Sequence, residues 1–241
     1  MPEMIDRIGP TVRPSRTVRG FQKWRSLLFM HWPVSVEKLR SIVPASLELD
    51  LYDGIAYVGV VPFVMEGVRP RWWPASMTFN FLETNVRTYV YHNGQPGVFF
   101  ISLEAASGLA VWAARQFWGL PYYRADMSLK REGEEVRYRS VRRGSGVRHL
   151  VRYRLGKMLG PSRPDTLEFF FLERYLLFLE RRNTTFVGQV HHSPYPVQQV
   201  EVLEIEDQLA ASAGLFECEG MPEFSHYASG VDVEVFQLRP I

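Results

Sequence analysis

The segment Phe79-Asn-Phe-Leu-Glu-Thr-Asn-Val-Arg-Thr-Tyr-Val90 places three groups able to do chemistry, Glu83, Asn85 and Arg87, at alternate positions. Its β-branched and aromatic content reads as a strand, and side chains alternate across a strand. Glu83, Asn85, Arg87 and Tyr89 therefore share one face, and Thr84, Val86, Thr88 and Val90 the other. Two readings of the polar row are open. It is the solvent face of a half-buried strand, or it lines the lumen of a barrel. In the second case Arg87 is suited to grip a ligand carboxylate through two parallel hydrogen bonds. Glu83 would then serve as acid or base beside it, and the two charges would pair with each other.

A second candidate is Phe117-Trp-Gly-Leu-Pro-Tyr-Tyr-Arg124, where Gly119 and Pro121 stop a helix ahead of Tyr122 and Tyr123. Taken alone, such a stop reads as structural. A third is the basic stretch from Val136 to Lys157, which carries Arg137, Arg139, Arg142, Arg143, Arg148, Arg152, Arg154 and Lys157 and no acid. A platform for single-stranded nucleic acid would interleave such charge with stacking aromatics. Here Tyr138 and Tyr153 fall on the opposite faces from the arginines, so a solvated strand pair with acids from its neighbours is the expectation. The histidines are His31, His92, His149, His191, His192 and His226, and none is spaced as a helical metal-ligand pair. No metal and no cofactor is expected. Cys218 lies between Glu217 and Glu219, which disfavours a thiolate. No nucleophile elbow, phosphate-binding loop or dinucleotide fingerprint is present.

These groups need a scaffold, and the pattern supplies mostly strands: 55–64, 76–91, 97–103, 136–142, 147–155, 184–191 and 231–238, with Arg143-Gly-Ser-Gly146 as a hairpin turn. Helices are expected over Ser35–Val43, Glu104–Trp118, Phe169–Arg181 behind an Asp165/Glu168 capping pair, and Glu206–Ala213 before Gly214. The sum is an α+β, mainly β fold, its antiparallel sheet closed into a barrel with a few peripheral helices. No linker divides residues 1–241, so a single domain is expected, with 1–20 as a loosely structured lead-in.

Composition narrows the chemistry. The 241 residues carry a net charge of +2. Lys23, Lys38, Lys130 and Lys157 are the lysines among 28 basic residues, and the remaining arginines cannot act as imine-forming amines. A single cysteine excludes an intrachain disulfide and suits a reducing compartment. Met1–Pro10 has no apolar core of a signal peptide. Glu104 and Arg115 interrupt the most apolar stretch. The cytoplasm is therefore the expected location, with neither a membrane nor nucleic acid as partner.

The helix followed by Trp118-Gly-Leu-Pro-Tyr-Tyr123 resembles the Trp-Gly-Phe-Pro-Lys-Lys segment of acetoacetate decarboxylases, and Val36-Glu-Lys-Leu-Arg-Ser-Ile-Val-Pro-Ala-Ser-Leu47 resembles that family's entry helix. A closer resemblance is to the YqjF-like bacterial family of unknown function in the same superfamily. It rests on Phe29-Met-His-Trp-Pro33, Glu83-Thr-Asn-Val-Arg-Thr-Tyr89, Gly119-Leu-Pro-Tyr-Tyr123 and His226-Tyr-Ala-Ser-Gly-Val-Asp232, and spans about Phe21 to Leu238. The resemblance implies a cone-like β-barrel with a buried pocket. It implies Glu83 and Tyr122 as catalytic groups, and Arg87, Asn85, Tyr123, His31, Trp118 and His226 as substrate contacts. It also exposes a departure. Tyr122 and Tyr123 stand where the imine-forming lysine and its partner would be, and a phenol cannot condense with a ketone. The superfamily's carboxylate-binding arginine should fall near Met30-His31-Trp32, where this chain has none; Arg87 is the candidate to replace it. The expected function is acid–base chemistry on a small carboxylic or keto acid without a Schiff base. A non-catalytic ligand-binding or sensing protein is the alternative, and a nucleic-acid binder acting through 136–157 a weaker one. A homo-oligomer remains possible.

Overall fold

A computed structural model of the chain describes residues 4–113 and 119–241. The strands are β1 (Gly20–Val34), β2 (Glu48–Leu49), β3 (Ala56–Pro70), β4 (Phe79–His92), β5 (Gln95–Ala105), β6 (Tyr122–Glu132), β7 (Glu135–Arg142), β8 (Arg148–Gly160), β9 (Leu176–Arg181), β10 (Thr184–His191), β11 (Val197–Asp207), β12 (Phe224–Val235) and β13 (Arg239–Pro240). The helices are α1 (Val36–Ile42), α2 (Gly108–Ala113) and α3 (Leu167–Leu172). The fold is mainly β within the α+β class. None of these helices is long and apolar enough to cross a membrane.

The strands form one sheet in the order β13-β10-β9-β5-β6-β7-β8-β11-β12-β1-β3-β4-β2, with β5 also paired to β4 and β10 to β12. Those extra pairings close the sheet twice. Strands β12, β1, β3, β4 and β5 form a common wall whose two outer edges fork. Along β5, Val98 and Phe99 pair with β9, whereas Leu103 to Ala105 pair with β6. Along β12, Val235 and Glu234 pair with β10, whereas residues near Tyr227 pair with β11. One ring passes through β9 and β10 and the other through β6, β7, β8 and β11. The pairings of β5 with β6 and with β9 are parallel, so the sheet is not wholly antiparallel.

This wall has an interior on each side, and its sequence shows it. On β1, Leu28, Met30 and Trp32 pack with Tyr138 and Tyr153 of the larger ring, while Leu27 and Phe29 pack with Val61, Phe170 and Phe171 on the other side. A strand covered on both faces reads as a continuous apolar run. Residues Glu83 to Val90 are buried without interruption for the same reason, so the solvent-face reading of this row does not hold. Where β5 meets β9 the backbones are close: a side chain at Gly97 would sit 2.5 Å from the Leu176 carbonyl oxygen.

The helices are shorter than the sequence predicts. Ser35 caps α1 by accepting a hydrogen bond from the Lys38 amide, as expected for its type. Glu104 and Ala105 are strand, and the helix of that region begins at Gly108. The residues after Phe169 form only the rest of a six-residue helix capped by Thr166, and then turn at Glu173 into β9. Glu206 and Asp207 end β11, leaving one short 3-10 turn at Ala211–Ala213 before the left-handed Gly214. Strands β1, β6, β9 and β11 were not anticipated from the sequence.

Candidate active site in the smaller ring

The lumen of the smaller ring holds a cavity of about 120 Å³. Glu83, Asn85 and Arg87 line it from β4, Phe100 and Leu103 from β5, and Tyr122 from β6. Sheet register explains how distant residues meet there. Asn85 pairs with Leu103, and Leu103 with Tyr122, so the three lie on one rung and project to the same side. From that rung the Tyr122 hydroxyl reaches one step along β4 and donates to Glu83 Oε2 at 2.8 Å. A bulge at Ile101 shifts the phase of β5, since Val86 faces Ser102 while Arg87 faces Phe100. The bulge is what keeps both Phe100 and Leu103 on the cavity side.

Glu83 is only 3% exposed. Burial pushes its carboxyl up to about 8, opposed by the hydrogen bond from Tyr122 and reinforced by Glu104. At neutral pH this group is therefore mostly protonated and can both give and take a proton near pH 8. Tyr122 is driven the other way from ionisation: burial, then the charge of Glu83, raises its phenol well above the usual range. It stays a hydrogen-bond donor.

The expected pairing of Glu83 with Arg87 does not form. The Arg87 Nη2 donates to the Phe171 carbonyl at 3.2 Å, and its buried Nε has no partner. No carboxylate oxygen among the described residues lies within 4.0 Å of this guanidinium. Asn85 Oδ1 is likewise buried and unpartnered.

A second guanidinium, not anticipated from the sequence, lines the same cavity: Arg174. It follows α3 at the turn into β9, where its Nε donates to the Phe170 carbonyl at 2.6 Å and its Nη1 meets Asp50 Oδ2 at 2.7 Å. Its Nη2 is buried without a partner. Asp50 is shared, because Arg7 bonds it through both Nη atoms at 2.6 and 2.7 Å. The guanidinium carbons of Arg174 and Arg87 flank the Tyr89 ring at 5.0 and 5.9 Å. Arg7, Arg87 and Arg174 thus face one committed carboxylate, Asp50, plus a Glu83 that is mostly neutral. The signal for Arg174 was available, as Glu173-Arg174 is a charged pair inside the apolar run from Leu167 to Leu179.

The other expected contacts lie elsewhere. His31 does not line the cavity; it shares a 2.7 Å hydrogen bond with the Tyr89 hydroxyl and stacks on Phe171 at 3.8 Å between ring centroids. Burial, with repulsion from Arg87 and His226, holds its imidazole well below the usual range. His226 is also depressed by burial, and its Nε2 is 4.0 Å from Glu168. Neither His31 nor His226 is among the residues that line the cavity. Tyr123 points to the opposite face of β6, 37% exposed, with the Arg142 guanidinium 3.8 Å from its ring centroid. Trp118 lies outside the described residues. No cluster of metal-ligating side chains occurs among the described residues.

The basic stretch is matched by acids. Arg152 meets Glu135 at 3.2 Å and also Glu204, and Arg154 meets Glu135 at 2.7 Å and Glu201 at 3.3 Å. Most of these acids come from β11, the strand that the sequence did not show.

Comparison with known proteins places this architecture. Three solved structures share the fold: an enduracididine biosynthesis enzyme, MppR, complexed with pyruvate, at TM-score 0.66 and 12% identity over 94% of this chain and 91% of that one; an acetoacetate decarboxylase-like enzyme from Sphingomonas wittichii, at TM-score 0.63 and 12% identity over 94% of each chain; and acetoacetate decarboxylase from Legionella pneumophila, at TM-score 0.58 and 12% identity over 96% and 94%. Identities this low establish the fold alone. An uncharacterized protein of Bacillus subtilis, YqjF, is 37% identical over 221 residues, 90% of each chain. The model of DUF2071, described as an uncharacterized conserved protein, matches residues 21–232. The chain belongs to that family.

Proposed function

We propose that this DUF2071 member is an enzyme that moves a proton to or from a small carboxylic or keto acid held in the smaller ring, without an imine. The observation that carries this reading is the pairing of unlike environments in one cavity: a carboxyl poised near pH 8 opposite guanidinium groups short of carboxylate. Arg87 and the free Nη2 of Arg174 hold the ligand carboxylate. Asn85 aligns a carbonyl or hydroxyl on the adjacent carbon. Glu83 exchanges the proton, and Tyr122 donates to Glu83 and steadies its charged form once the proton has gone. None of Lys23, Lys38, Lys130 and Lys157 lines the cavity, which supports a route without a Schiff base. The fold relative complexed with pyruvate supports the ligand class.

The test is proton exchange. With pyruvate in deuterium oxide, followed by proton NMR, the wild type should accelerate exchange of the methyl protons, with an apparent pKa near 8. Glu83→Gln should abolish the acceleration while leaving pyruvate binding intact. Binding without any acceleration in the wild type would leave a ligand-binding or sensing protein as the correct reading.

A further inference from the structure

On its outer side the cavity adjoins a chamber of about 620 Å³ lined by Phe21, Val68, Phe79, Phe81 and Leu238, with Leu109 and Ala110 of α2 at the lip. Gln22, Met65, Tyr122 and Val235 line both spaces, so only side chains, Tyr122 among them, stand between the two. The inner space holds only a small head group, well below the size of an ordinary ligand pocket, whereas the two together reach that size.

The chemistry of the two spaces differs as sharply as their volumes. The inner one is lined by Arg87, Arg174 and Asn85, whose buried Nε, Nη2 and Oδ1 atoms have no hydrogen-bond partner. The outer one carries mainly aromatic and aliphatic side chains, with two arginines at its wall that bond only neutral acceptors: Arg69 donates to the Trp73 carbonyl at 3.1 Å and lies 4.5 Å from the Phe21 ring, and Arg19 donates to Gln237 Oε1 at 2.6 Å.

We propose that the substrate is an acid with an apolar tail, its carboxylate in the inner cavity against Arg87 and Arg174, its reacting carbon beside Tyr122 and Glu83, and its tail in the outer chamber. This rests on the proposed function and adds to it the substrate class. A short acid such as pyruvate would fill the inner cavity and leave the chamber to water. A tail that carries a positive charge would lose hydration there beside Arg19 and Arg69 without gaining a partner.

Isothermal titration of the whole chain with pyruvate, α-ketobutyrate, α-ketocaproate and α-ketocaprylate tests this. Burial of a methylene is worth about 0.8 kcal/mol, so affinity should rise about fourfold for each one added. Ala110→Trp, at the partly exposed lip, should flatten the dependence on length and leave pyruvate affinity unchanged. Short acids that bind with no gain from length would overturn the apolar tail and leave the proposed function standing. A gain from length that survives Ala110→Trp would overturn it equally. Failure of every acid to bind would remove the proposed function and this inference together.

Discussion

Two glutamates on opposite faces of the same wall show how one fold makes a structural ion pair and a candidate reactive carboxyl. Glu83 on β4 faces the smaller ring, and Glu104 on β5 faces the larger. Both are almost fully buried, and burial raises both carboxyls. Glu104 is met by the Arg142 guanidinium through a short charge-assisted bond, in an interior that also holds the His149–Asp207 pair at 2.7 Å. Glu83 is met by a phenol and faces open space, while the nearest guanidiniums remain short of carboxylate. A buried acid given its own cation is committed to the fold. One held apart from nearby cations is, in the proposed function, the group that reacts.

The largest effect that could break this contrast is in the pH dependence of stability. Glu83 lies near 8 in the folded chain and near 4.5 unfolded. With its folded value raised, its stabilising contribution is complete below pH 4.5 and is lost as the pH climbs toward 8. The loss is at most on the order of 5 kcal/mol. Chemical denaturation of Glu83→Gln should therefore show a flatter stability profile than the wild type between pH 4.5 and 8. Parallel profiles would mean that the carboxyl is not perturbed. Next in size is the cost of breaking the larger ring's pair. Arg142→Leu strands Glu104 and should cost about 3 to 5 kcal/mol, whereas Arg87→Met, which strands no acid, should stay within about 1 kcal/mol of wild type in the absence of ligand. Equal losses at both positions would erase the distinction. The smallest effect belongs to the surface ladder: Arg152→Ala should shift the melting temperature by less than about 2 °C, because exposed pairs are screened. A greater loss would show that the outer face of the sheet carries stability the buried pairs were thought to supply.

How far the residues announced this arrangement varied with how many faces each strand buries. Alternation on β4 placed Glu83, Asn85 and Arg87 on one face, and the resemblance around Tyr122 to Tyr123 pointed to the segment that meets them. Strand β1 was missed because both its faces are covered. Its run Leu27–Trp32, apolar except for His31, loses the two-residue period. Strand β6 was missed for the opposite reason, being largely exposed and charged. Arg174 was hidden by the helix predicted over Phe169–Arg181, where α3 instead ends at Leu172 and the chain turns into β9. The pairing of Glu83 with Arg87 failed on a point periodicity cannot address. Sharing a face does not bring two groups into contact when a phenol and a carbonyl offer each a nearer partner.

A cavity short of an anion, as the proposed function requires, should take one from solution through Arg87. The direct measurement is the melting temperature of wild type and Arg87→Met with and without the tightest keto acid. At 100 times its dissociation constant a ligand adds about 2.7 kcal/mol to folding stability, which for a chain of this size is a rise of about 5 to 10 °C. That rise is expected in the wild type, against less than about 2 °C in Arg87→Met under the same conditions. An equal rise in both proteins would contradict it.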